Sequence, residues 1–194
     1  MKAKFLFLFL ALALFGEIVW AIFYLTNPFK FFSPKPTPSP QIQRGAILFL
    51  DPSFSTVKKG ERFEVNIVLD SQDNFVSGVD VILRFNPHLL TVVDADPKTE
   101  GIQITPGKIF SRYLGNKVDL ARGRITISGV AEIKKPFSGR GVLAKIKFLP
   151  ISLGKTKVFF EFQPARTNDS NVAGISARDI LDKTEGGEYS IKER

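Results

Sequence analysis

One histidine, His88, and no cysteine set the limits on the chemistry open to this 194-residue chain. Without a thiol there is no cysteine nucleophile, no cysteine-bound zinc, no disulfide frame and no lipid-modified N-terminal cysteine. One imidazole cannot build a histidine-rich metal site, and any Ser-His-Asp relay would have to run through His88. That residue lies in Phe85-Asn86-Pro87-His88-Leu89-Leu90, where Asn-Pro opens a turn, so it is expected to face solvent. Two carboxylate pairs, Asp94 with Asp96 and Asp179 with Asp182, have the residue types for general acid–base work. Nothing in the sequence sets either pair across a cleft, and they are expected as surface charge. Gly139-Arg140-Gly141 lacks the third glycine and the following helix of a phosphate loop, and reads as a turn between strands. Asn168-Asp169-Ser170-Asn171 is oxygen-rich but lacks the spacing and closing glutamate of an EF-hand, and is expected as a solvated loop. The chain therefore reads as a binding module, with no catalytic residue, no metal and no cofactor of its own.

The charge pattern narrows the partners. Half of the formal net charge of +8 lies in the first 44 residues, and beyond them the basic residues are scattered singly apart from Lys58-Lys59 and Lys134-Lys135. A nucleic-acid surface would need a concentrated basic stripe, so no nucleic-acid partner is expected.

The elements that would carry a binding face are legible from Gly45 onward. Short apolar runs, several with period two, are broken by Gly, Pro, Asn and Asp, which is the pattern of an all-β sandwich. Strands are expected at Ala46 to Leu50, Arg62 to Leu69, Val79 to Phe85, Leu90 to Val93, Lys108 to Tyr113 and Arg124 to Val130. Three more are expected at Gly141 to Phe148, Lys157 to Phe162 and Glu188 to Ile191. In the third, Val79, Val81, Leu83 and Phe85 point to a core while Asp80, Ile82 and Arg84 point out. Alternation likewise places Val142, Ala144, Ile146 and Phe148 inside, and Leu143, Lys145 and Lys147 outside. Only short helical turns are expected after residue 45, at Pro87 to Leu90 and around Ala177 to Leu181.

The chain begins differently. Phe5 to Leu25 is apolar except for Glu17, follows Lys2 and Lys4, and carries Trp20 and Tyr24 near its far end. That length suits a bilayer span, and a carboxylate at the centre costs roughly 2 to 3 kcal/mol, which the surrounding Phe and Leu can offset. The competing reading is a signal peptide cleaved after Val19-Trp20-Ala21, giving a secreted protein. Cleavage there would leave the apolar terminus Ile22-Phe23-Tyr24-Leu25, which favours an uncleaved single-pass anchor with the domain outside the cytoplasm. Ser33-Pro34-Lys35-Pro36-Thr37-Pro38-Ser39-Pro40 follows as a polyproline spacer, holding the domain roughly 25 Å from the membrane. The expected organisation is an anchor or signal segment over 1–27, a Pro-rich linker over 28–44 and one sandwich over 45–194.

One stretch, Val76-Ser77-Gly78-Val79-Asp80-Val81-Ile82-Leu83-Arg84-Phe85-Asn86-Pro87-His88-Leu89-Leu90-Thr91-Val92-Val93-Asp94, resembles the cohesin signature, a strand ending in aromatic-Asn-Pro followed by Leu-x-Val. Gly123 to Gly129, Phe137 to Phe148 and Gly187 to Ile191 resemble later family segments in the same order. The resemblance implies a nine-stranded jelly-roll sandwich, shared with carbohydrate-binding modules, that binds a dockerin through one flat sheet face. It also implies that calcium belongs to the dockerin-bearing partner and not to this chain. By position, Asp80 and Glu132 are similar to acidic residues that meet the dockerin. Arg84, Thr126 and Ser128 are expected around them on the same face. Gly78 departs from the pattern, standing where the best-studied cohesins have an asparagine. The function so implied is a membrane-anchored module that recruits a dockerin-bearing protein at the cell surface. A carbohydrate-binding or wall-associated sandwich, with polysaccharide as its ligand, is the alternative, and an exposed aromatic strip would mark it. A structural subunit of an envelope complex is a third reading.

Overall fold

The computed structural model describes residues 2–26, 45–100 and 102–193. The chain divides into two units, Met1–Ile42 and Gln43–Arg194. In the first, helix α1 runs Lys2–Thr26. Its described large side chains, from Phe5 through Leu12 and Ile18 to Leu25, are exposed around the whole circumference. The single-pass anchor expected between Phe5 and Leu25 is not supported, because among the described residues no helix is long and apolar enough to cross a membrane. The Pro-rich linker expected over 28–44 lies outside the described residues.

The second unit is a two-sheet sandwich, as the patterning implied. Its strands, in order, are β1 (Ala46–Asp51), β2 (Phe54–Lys58), β3 (Phe63–Asp70), β4 (Val76–Arg84), β5 (Leu90–Val92), β6 (Thr105–Pro106) and β7 (Arg112–Asp119). They continue as β8 (Arg124–Val130), β9 (Arg140–Pro150), β10 (Gly154–Phe160), β11 (Asn171–Gly174), β12 (Leu181–Glu185) and β13 (Gly187–Lys192). One sheet has the order β12-β1-β3-β9-β5, with β6 beside β9; the other has the order β2-β13-β10-β4-β8-β7, with β11 beside β4. Pairing is antiparallel except for two parallel pairs, β1 with β12 and β2 with β13.

Both inner faces meet in one core. Leu48, Ile67, Ile146 and Phe148 come from the first sheet, and Val81, Leu83, Ile127, Val158 and Tyr189 from the second. Each such side chain, fully withdrawn from water, contributes roughly 1.5 to 3 kcal/mol before entropy is counted. Phe148 joins the layers: its ring lies 5.7 Å from Phe63 and 5.7 Å from Phe85. Phe63 in turn lies 5.2 Å from Tyr189. Tyr189 is buried to the ring edge and donates its hydroxyl to the Pro52 carbonyl at 2.9 Å, so the one polar atom it brings inside is satisfied.

Several strand expectations need correction. The strand expected at Lys108 to Tyr113 begins at Arg112 and runs to Asp119, because the preceding residues turn inward to bury Phe110. Leu143, expected outside, is fully buried. A bulge opposite Ile67 and Val68 pairs them with Ala144 and Val142 and leaves Leu143 as the extra residue, which reverses the alternation there. β2, β6, β11 and β12 carry too little apolar periodicity to be read as strands. Ala177, expected in a helical turn, has φ of 57° in a tight turn before β12. The outward face of β4 also differs at Ile82, which is buried because the 161–170 loop folds against it.

Candidate partner-binding face

β4 is at the centre of the site, and its alternation carries the polar residues outward. On one side it pairs with β8 along its length, which sets Asp80 opposite Ser128, Ile82 opposite Thr126 and Arg84 opposite Arg124. On the other side it is satisfied in three pieces. β11 covers Val76 to Asp80, and β10 covers Leu83 and Arg84. Between them the Ser170 hydroxyl accepts from the Ile82 N–H at 3.0 Å and donates to the Ile82 carbonyl at 3.2 Å. Ser77 pins β11 by donating to the carbonyls of Ala173 and Gly174 at 3.1 and 2.9 Å. A strand held this way offers a flat and stiff outer surface.

The sequence-expected residues fall into three groups on that surface. Asp80 and Ser128 touch, the serine hydroxyl donating to an exposed Asp80 carboxylate oxygen. Thr126 lies one step along β8, half-buried. Arg84 lies at the far end, paired with Glu161, which also faces Arg124 at 3.9 Å. Glu132 is not on the sheet; it sits in the exposed turn just after β8, with Lys135 at 3.9 Å. Arg84 is four residues along β4 from Asp80, roughly 13 Å from the Asp80–Ser128 centre, and Glu132 lies past the opposite end, beyond β8.

Gly78 shapes the centre. A Cβ there would come within 3.3 Å of the Gly129 carbonyl. Its absence leaves a depression of about 260 Å3 bordered by Asp80, Leu114, Ser128 and Asn171. Two of these neighbours escaped sequence reasoning. Asn171 is on β11 directly opposite Asp80. Leu114 is exposed because a bulge between Tyr113 and Gly115 expels it from the β7 alternation. The Tyr-Leu-Gly break in period is the one signal for Leu114; Asn171 had none.

The groups with enzymatic potential are used otherwise. His88 is exposed, and its backbone N–H donates to Asn86 Oδ1 at 2.9 Å in the expected turn. Asp94 Oδ1 accepts from the Asp96 N–H at 2.9 Å. Asp179 Oδ1 accepts from Val172 and Leu181, each at 3.0 Å. In the Asn168 to Asn171 loop, Asp169 accepts from the Gln163 N–H at 2.6 Å. Among the described residues no three His, Cys, Asp or Glu side chains are grouped to hold a metal ion.

A sandwich with one stiff, open sheet face carrying a small polar centre has the architecture of a binding module. A model of the cohesin domain matches residues 52–180, and the chain belongs to the cohesin domain family, whose members are non-catalytic protein-binding modules. Solved structures share the fold at low identity. A type I cohesin–dockerin complex from Clostridium thermocellum gives a TM-score of 0.61 at 13% identity, over 78% of this chain and 96% of that one. CaCohA2 from Clostridium acetobutylicum gives 0.59 at 18%, over 77% and 92%. A type II cohesin domain from the cellulosome of Acetivibrio cellulolyticus gives 0.58 at 18%, over 75% and 94%. No curated protein matches the chain in sequence.

Proposed function

We propose that this cohesin domain captures a dockerin-bearing protein on the outer face of β4, β8 and β7, with Asp80 and Ser128 at the centre of the contact. The observation that carries the reading is the exposed Asp80 carboxylate, held in place by Ser128 on a strand pinned along both sides. A fixed carboxylate accepts hydrogen bonds from hydroxyl or basic groups of a partner helix without the entropy of ordering a free side chain. Thr126 extends the contact, Arg84 and Glu132 bound it at opposite ends, and calcium is carried by the partner.

α1 is proposed to hold the domain at a membrane surface outside the cytoplasm without crossing the bilayer. Its described side chains, apolar over most of the helix with Glu17 among them, are exposed, and exposed apolar side chains favour an apolar environment.

Both parts can be tested with the full chain in mild detergent. Immobilised on a resin, it should retain a dockerin-bearing protein from the source cell in calcium and release it in chelator. Retention that ignores calcium, or that survives Asp80→Ala, would count against the assigned face. Mixed with lipid vesicles, the chain should float with them; sedimentation without the vesicles would remove the tether.

A further inference from the structure

The same sheet has a second surface beyond the partner face. β10, β13 and β2 present their outer side chains in two rows set by register: Phe54, Glu188 and Lys157 in one, Thr56, Ser190 and Lys155 in the next. These rows line a furrow of about 440 Å3. Phe54 is 72% exposed on the edge strand. Phe159, 52% exposed on β10, is opposite Arg84 beside the partner face, outside the furrow. The Phe54 ring left in water is not needed by the core, which β2 serves through Val57.

The charge around the furrow has a positive excess. Lys155 and Lys157 on β10 are joined by Lys58 and Lys192, the outward ends of β2 and β13, which pair with each other. Lys157 is paired with Glu188 at 2.6 Å and Lys58 with Glu61 at 3.9 Å. Lys155 and Lys192 therefore leave a net positive field over a floor of hydroxyls and the exposed Phe54 ring. Rings stack on the apolar faces of sugar units, hydroxyls bond to sugar hydroxyls, and ammonium groups meet carboxylates.

We infer that the furrow across β2, β13 and β10 is a binding site for a segment of acidic polysaccharide, a uronic-acid chain in chemical class, separate from the protein-partner face. Phe54 supplies the stacking platform, and Lys155 with Lys192 supplies the charge.

The test uses the full chain in mild detergent, with polygalacturonate as probe, a neutral polysaccharide and polyglutamate as comparisons, and affinity electrophoresis at physiological salt as readout. Polygalacturonate should retard the protein. Phe54→Ala and Lys155→Glu should each weaken the apparent affinity about tenfold, while Asp80→Ala leaves it unchanged. Circular dichroism of each variant confirms that the sandwich is intact. Failure of polygalacturonate to bind would overturn the site. So would equal retardation by polyglutamate that Phe54→Ala does not alter, which would mark a charge contact with acidic protein. Loss of polygalacturonate binding in Asp80→Ala would merge the two faces and overturn the separation.

Discussion

Asp80 and Ser128 face each other across the β4–β8 register, and the serine hydroxyl donates to the aspartate carboxylate at the centre of the open sheet face. The contact is exposed, so it adds little to folding. It holds one carboxylate oxygen of the proposed contact in place.

Asp80→Ala should therefore lower partner affinity by about tenfold or more while changing stability by less than ~1 kcal/mol. Ser128→Ala, which frees the carboxylate to rotate, should cost a smaller factor. Calorimetric titration with the captured partner, beside urea unfolding of each variant, separates the two effects.

Glu161 is the common counter-ion of Arg84 and Arg124, and all three side chains are partly withdrawn from water. Glu161→Gln leaves two guanidinium groups without a carboxylate. Partly exposed ion pairs are screened, so the expected loss is roughly 1 kcal/mol. A double-mutant cycle with Arg84→Met, read by urea unfolding, should return a coupling of that size, and zero coupling would show the pair to be incidental.

Burial holds the Tyr189 phenol well above its ordinary pKa near 10, and the Asp51 carboxylate pushes it the same way. The phenol stays protonated when folded and ionises near 10 when unfolded, so its stabilising effect is complete below pH 10 and is lost as pH rises beyond it. The melting temperature should fall steeply above pH 10. Tyr189→Phe should lower it at neutral pH, through loss of the bond to Pro52, yet flatten the alkaline decline. Tyr113, also raised by burial, keeps part of the slope.

Leu143→Lys distinguishes the bulged strand from a regular one. In unbroken alternation position 143 would face water and accept lysine. In the observed register it sits at 0% exposure, so the substitution should cost ~3 kcal/mol or more. A circular dichroism melt that matches the parent would refute the bulge.

Much of the framework was legible because period-two alternation is strong where one face is buried and the other wet. β4 and β8 show this: Val79, Val81, Leu83, Ile125 and Ile127 enter the core as their spacing implied, and β8 has the expected bounds. Legibility failed where local geometry breaks the period. Leu143 and Leu114 are both bulge residues, and Ile82 is buried by a loop distant in sequence. Of the face, Asp80, Ser128 and Thr126 followed from alternation. Asn171 and Glu161 did not, because their contacts with Asp80 and Arg84 cross 91 and 77 residues and leave no local mark. The exposed pair Phe54 and Phe159 was equally hidden, since phenylalanine in a short strand reads as core until the register shows which side it takes.

The two parallel pairs, β1 with β12 and β2 with β13, join the earliest strands of the sandwich to its latest, one in each sheet. Neither sheet can complete its edge until Leu181 to Lys192 have been synthesised. The loop-closure cost of these two pairs, which span most of the domain, is met only once β12 and β13 have emerged. Until then β1 and β10 stand as open strand edges, each able to template pairing with another chain.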